Sequence, residues 1–146
     1  MKNKLLIKEI NGSALAYVII VLMIMSILAL SIAQIFNANL KQTKYLQNNL
    51  EAYYLAYSGA LIGYEALLAN SNNRLDDLVN GISISPSTIN FSNGNATVSA
   101  EISTDVNFED WIKITSEAIL DMSGARYTRV MYFDPTDPLD VLWRNN

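Results

Sequence analysis

The stretch from Ile10 to Leu40 carries no charged residue, and it limits what this chain can be more than any other feature. Within it, Ala14 to Phe36 is nearly all apolar, interrupted by Ser26, Ser31 and Gln34, and contains neither Pro nor Gly. A run of about 20 such residues crosses a bilayer core of roughly 30 Å as a helix. Lipid offers the backbone no hydrogen-bond partners, so a lone span has to be helical. A core helix of this length would normally show a polar face. A membrane-inserted helix is therefore expected. The competing reading is a cleaved secretory signal, for which Ser31-Ile32-Ala33 is a loose small-x-small match. The apolar segment is longer than the usual core of about 7–15 residues, and no turn-former precedes that site.

Charge sets the orientation. Lys2, Lys4 and Lys8 against Glu9 give the first twelve residues a charge of +2. The rest of the chain then carries −6 of the formal −4 total. A short basic N-terminal flank stays cytoplasmic by the positive-inside rule, although Lys41 and Lys44 weaken the contrast. The chain beyond residue 40 is expected outside the cytoplasm. An acidic head gives no strong nucleic-acid signal, since such binding rests on phosphate neutralisation.

The chain has 146 residues, no Cys and no His. Disulfides and thiolate chemistry are excluded, and the commonest general base and metal ligand is missing. No G-x-S-x-G, P-loop or H-E-x-x-H motif occurs. No catalytic residue, cofactor or enzymatic activity is expected. Asp134, Asp137 and Asp140 recur every third residue around two prolines and are the only calcium candidates, because Ca²⁺ takes carboxylate oxygens. The preferred reading of that cluster is Asx-turn chemistry beside Pro, with no metal. Arg126 and Arg129, three apart in a strand, point to opposite faces and make a poor phosphate clamp.

The helical pattern continues past the span. Leu46, Leu50, Tyr53, Tyr57, Ala60, Tyr64 and Leu67 are spaced 4, 3, 4, 3, 4, 3 along one helical face. Asn70 to Asn73 is the expected stop. The stripe is expected to pack on the chain's own domain, with a coiled-coil seam as the rival. Gly59 and Gly63 permit close approach of another backbone, here the domain's own sheet.

After Arg74 the pattern changes. Asp76 to Gly81 reads as a turn. Ile89 and Phe91 alternate with polar residues, and Asn93-Gly94 is a hairpin signal because both tolerate positive φ. Ala96 to Ile102 alternates as a half-buried strand. Trp111 to Leu120 and Ala125 to Phe133 make a third and a fourth, and Pro135 and Pro138 end the last. Trp143 either packs back on the sheet or anchors a tail. The expected class is α+β: a long N-terminal helix, its first half transmembrane, packed on an antiparallel four-stranded sheet with one face wet.

Two stretches give a resemblance. Gly12 followed by Ser13-Ala14-Leu15, a span starting at once and a helix running on beyond it is similar to the type IV pilins and pseudopilins. Glu51-Ala52-Tyr53-Tyr54-Leu55-Ala56-Tyr57-Ser58-Gly59-Ala60 resembles the A-x-Y-L-A-E-S/A-G stretch of PilX-type minor pilins. The match covers roughly residues 8–64. It implies a leader over 1–12, cut by a prepilin peptidase between Gly12 and Ser13, with methylation of the new amine on Ser13. Glycine at the cut site would leave the chain extended at the membrane surface. The transmembrane half of the helix would be 13–36, its extracytoplasmic half 37–73 and the sheet of the head 74–146. Implied partners are other pilins and minor pilins, the prepilin peptidase, the assembly machinery and membrane lipid. The protein would lie in the cell membrane with its head outside, or outside the cell in a pilus. Three departures from the pilin pattern tell against a major subunit. Tyr17, not Glu, stands fifth after the cut and is the expected filament contact. The apolar helix lacks the Pro common in major pilins, and Tyr57 replaces the Glu of the second stretch. The rival function is a single-pass anchored binding or chaperone domain.

Overall fold

The computed structural model describes residues 2–69, 73–82 and 84–145, with side chains from Ala14 to Arg144 among them. The chain divides into two compact units, Met1–Lys44 and Tyr45–Asn146. The protein is α+β: helix α1 (Lys2–Leu68) packs its C-terminal part on an antiparallel sheet. In the first unit every described side chain, from Ala14 to Lys44, is exposed. The backbone of Gly12 and Ser13 is helical, so the extended backbone expected at Gly12 is not found. A single Gly costs a helix only about 1 kcal/mol relative to Ala, too little to break it by itself. The side chain of Ser13 lies outside the described residues.

In the second unit, α1 is followed by α2 (Arg74–Val79) and five strands: β1 (Ser87–Phe91), β2 (Gly94–Ile102), β3 (Ile112–Leu120), β4 (Arg126–Phe133) and β5 (Val141–Asn145). The sheet order is β1-β2-β3-β4-β5, every pair antiparallel. It is thus a five-stranded meander, not a four-stranded one. The two prolines do end β4, but the chain returns. Val141 pairs with Phe133 and Trp143 with Met131, so Trp143 packs back on the sheet. Asp76 to Val79 is helical, not a turn. Leu75 and Leu78 stand three apart on that helix, and Leu78 is fully buried in the main core.

The inner face of the sheet alternates as its sequence requires. Ile112, Ile114, Ser116, Ala118 and Leu120 of β3 are all buried. Across the register, Ala96 meets Ala118 and Ala100 meets Ile114. Ile114 meets Met131, and Ile112 meets Phe133. The core falls into two clusters, one around Ala60, Leu67, Ile114, Met131 and Phe133, the other around Ala52, Leu55, Ala56, Ala96 and Leu120.

The buried line of α1 is Ala52, Leu55, Ala56, Gly59, Ala60 and Leu67, with half-buried Gly63 among them. It is rich in small residues and keeps Ala60 and Leu67 of the expected stripe, but not its N-terminal members. Leu46 and Leu50 of that stripe are 58% and 54% exposed, and Tyr53, Tyr57 and Tyr64 are only half-buried. The reason is distance. A Cβ on Gly59 would stand 2.5 Å from Ser116 Oγ and 2.8 Å from Ala96 Cβ, and one on Gly63 would stand 2.6 Å from Val98 Cγ1. Glycine at these two points lets the helix backbone come down on β2 and β3, and the tyrosines flank the contact.

Two further expectations are corrected. Positive φ occurs, among the described residues, at Asn73, Asp110, Gly81 and Gly124, so the β1–β2 turn at Ser92-Asn93 has none. Gly94 opens β2 instead, and a Cβ there would lie 2.3 Å from the Ile119 carbonyl oxygen. It is glycine for close approach of β3, not for turn geometry. The outer face is also not wholly wet. Val130 and Tyr132 point outward yet are 3% and 5% exposed. The β2–β3 loop lies over this region, with Phe108 ring-to-ring against Tyr132 at 5.0 Å and against Trp111 at 5.3 Å.

If the close contact holds the head together, Gly59→Ala should destabilise the full-length protein in detergent by about 1–3 kcal/mol through overpacking. Ser116 Oγ is buried beneath it without a hydrogen-bond partner among the described residues. Ser116→Ala should then be neutral or stabilising. Thermal melts of the two variants test this, and equal effects would contradict it.

Candidate assembly surfaces

Two surfaces stand out, one in each unit. The first is the apolar helix surface from Ala14 to Phe36. One helix near the N-terminus is long and apolar enough to cross a membrane. Its polar side chains are largely satisfied within the helix. Ser26 Oγ donates to the Leu22 carbonyl at 2.8 Å and Ser31 Oγ to the Ile27 carbonyl at 2.9 Å. Such back-bonding removes a bare hydroxyl from a surface that would face lipid. Tyr17 is 71% exposed on this surface.

The second surface lies in the head, on the flank of α1 that overhangs β4 and β5. Arg129 sits on the inner face, opposite Ser116 and Asn145 in register. Its guanidinium carbon is 5.2 Å from the Tyr53 ring centre and 5.3 Å from that of Trp143. Tyr57 stacks on Trp143 at 4.6 Å, and Tyr53 meets Tyr127 edge-on at 5.2 Å. Arg129 Nε is buried with no acceptor among the described residues. The ion pairs found there are elsewhere: Lys113 with Glu101 at 2.7 Å, Arg126 with Glu117 at 3.5 Å and Arg144 with Asp105 at 2.8 Å. Arg126 and Arg129 do point to opposite faces, as their spacing requires. The aromatic frame is open to sequence reasoning in one respect. Alternation along β4 puts Arg129 in line with Tyr127, Met131 and Phe133, an unusual company for a cation. Each ring contact is worth about 0.5–2 kcal/mol depending on how dry it is.

The β4–β5 loop holds the acidic cluster. Asp134 Oδ1 accepts from the Thr136 amide and from the Thr136 hydroxyl, both at 2.7 Å. The Asp140 amide donates to the Asp137 carbonyl at 2.9 Å. Among the described residues no three acidic side chains are grouped to hold a metal ion. Asp134, Asp137 and Asp140 therefore do not converge on one site, and Asp134 makes the Asx turn that Pro-rich loops favour. The Thr136 hydroxyl, more than its amide, holds the Asp134 carboxyl below the usual range. The loop is tied to the helix by Tyr64, whose hydroxyl donates to the Pro138 carbonyl at 2.6 Å. Burial, and then the nearby Glu65, pushes the Tyr64 phenol up from its ordinary range.

Comparison of the chain with protein families, with curated proteins and with solved structures finds no match.

Two results are expected here. Arg129→Met should alter stability by no more than about 1 kcal/mol, because a half-buried cation with no ion pair among the described residues is exchanged for an apolar chain of similar reach, and the relieved burial cost offsets the lost ring contacts. Trp143→Ala should cost about 2–4 kcal/mol through lost ring packing. A loss of about 3 kcal/mol for Arg129→Met would contradict this and show that the contacts of the cation outweigh its burial cost. Separately, Thr136→Val should raise the Asp134 pKa toward its ordinary range in a carboxyl NMR titration. The sign comes from the lowered folded-state value. Stability from this group is present above the unfolded pKa and lost as pH falls through the folded one.

Proposed function

We propose that the protein is a minor pilin or pseudopilin, a structural subunit that primes or caps assembly of a type IV pilus-like filament. The observation that carries the reading is one helix with two environments. From Ala14 to Phe36 it is nearly all apolar and exposed, and its C-terminal part is the scaffold of the chain's own antiparallel head. The resemblance at Gly12-Ser13-Ala14-Leu15 and at Ala52 to Gly59 supports it. In this reading a prepilin peptidase removes residues 1–12 and the amine of Ser13 is methylated. The N-terminal flank stays cytoplasmic and the head lies outside. The surface solvated by lipid is later buried against neighbouring subunits, so extraction exposes little net apolar area to water. A separate ATPase drives it.

Tyr17 places the subunit at low copy. An ammonium entering an apolar fibre core is costly unless paired. In the pilin family a fifth-position Glu is thought to neutralise the amine of the subunit added before. A phenol can accept a hydrogen bond but carries no charge at neutral pH. A chain with Tyr17 therefore suits an early or tip position, with no earlier subunit to satisfy. Ser13 still offers an amine to the next subunit. A permanently anchored binding or chaperone domain is the rival, and it needs no cut at Gly12.

Intact mass of the membrane-extracted protein separates them. The proposal requires a chain beginning at Ser13. Retention of residues 1–12, or a start at Gln34, would end it. Quantitative mass spectrometry of sheared filaments should find far fewer copies than of the main fibre protein. Tyr17→Glu should raise that number.

A further inference from the structure

The two edges of the sheet are guarded differently. Edge strands expose unpaired amides and carbonyls, and proteins usually blunt them with charge, Pro, bulges or cover. β5 is guarded. Arg144 lies within it and pairs with Asp105 from the β2–β3 loop, and Trp143 is held under Tyr57. The other edge, β1, reads Ser-Thr-Ile-Asn-Phe, with no charge and no Pro in the strand. It pairs with β2 alone and without a bulge.

The register says which groups are free. Phe91 pairs with Gly94 across the two-residue turn, then Ile89 with Ala96 and Ser87 with Val98. A two-residue hairpin makes its closing pair a hydrogen-bonded one, and bonded pairs alternate from there. The odd-numbered residues thus turn their amides and carbonyls toward β2. Thr88 and Asn90 turn theirs outward, and both residues are exposed.

Beside this edge, between α1 and the inner face of β1 and β2, is a cleft of about 160 Å³, whose lining is mostly apolar, with Ile62, Ile84, Ile89 and Val98, and also includes Arg74 and three serines. Ile62, on the wall of this cleft, is an exposed apolar residue. The volume is well short of the roughly 300–1,000 Å³ of a small-molecule site. It has room for one large aliphatic side chain.

We propose that β1 is a docking edge, which takes an extended segment of a neighbouring fibre subunit as a sixth strand and seats one apolar side chain of that segment in the cleft. An outward row of main-chain donors and acceptors at Thr88 and Asn90 is matched by another extended backbone and by little else. The adjoining cleft supplies the side-chain preference, for an apolar residue on the inward-facing positions of the added strand. The partner is another subunit of the assembly, not a free peptide, so the inference rests on the fibre-subunit reading.

The test uses the full-length chain, expressed with its assembly machinery. Amide exchange across residues 87–91 is measured by mass spectrometry in detergent micelles and in sheared filaments. Exchange at this strand should slow severalfold in filaments, whereas no slowing in a chain that is incorporated would overturn the inference alone. Thr88→Pro removes one outward amide and leaves the main-chain bonds to β2 in place, losing besides it only the long 3.5 Å contact between the Thr88 and Thr97 hydroxyls, and should cut incorporation severalfold with an unchanged melt. If Thr88→Pro also lowers the melt, Asn90→Lys serves instead, because it changes an exposed side chain and leaves the backbone intact. Incorporation at the parent level by a variant that melts normally would refute the docking edge. A parent chain that keeps residues 1–12 and never enters a filament would instead remove the fibre reading, and the inference with it.

Discussion

The head depends on how near α1 comes to the sheet. At Gly59 and Gly63 the helix backbone meets Ala96, Ser116 and Val98 at distances no side chain would allow. The contact is made of small residues from both layers, and the rest of the head is arranged around it. Toward the C-terminal end of α1, Leu67, Leu78, Ile112 and Phe133 fill the wider gap. Toward the other end, Ala52, Ala56, Ala118 and Leu120 fill a narrower one. Large side chains are displaced to the flanks. There the tyrosines lean over β4 and β5 and enclose Arg129, and on the opposite flank a cleft remains open beside β1.

The same helix continues into the apolar N-terminal stretch. A helix that is apolar on all sides between Ala14 and Phe36 has no preferred neighbour of its own. Lipid and other apolar helices would solvate it about equally, a property that the proposed transfer from membrane to fibre would require. The head has the opposite character: its edges and flanks are distinct, so it can specify neighbours. The guarded β5 edge and the open β1 edge give it a direction.

Much of this is legible in the sequence where periodicity is long. Ala96 to Ile102 and Ile112 to Leu120 alternate over enough residues to fix strand and inner face, and the helix to Leu67 is unmistakable. The glycine pair points to a contact with the sheet, and the contact is there. The features that escape sequence reasoning are shorter or non-local. β5 is five residues behind two prolines, too brief for a period, and only its pairing with β4 reveals it. α2 has about one and a half turns and is fixed by burial of Leu78. The stripe of Leu46 and Leu50 continues a hydrophobic pattern, but burial depends on distance, and small residues win the contact. Phe108 covers Tyr132 across a loop whose sequence has no regular pattern. The frame around Arg129 combines residues from α1, β4 and β5, and no local signal joins them.

The central claim is that the helix surface around Leu28 exchanges lipid for protein. The chain has no native cysteine, so Leu28→Cys can carry a single polarity-sensitive probe. In membranes, a lipid-borne quencher should reach the probe and aqueous iodide should not. In sheared, lipid-free filaments the probe should still be shielded from iodide, now by neighbouring subunits. A probe found only in membranes and always quenched by lipid, or one freely quenched by iodide in filaments, would contradict the account.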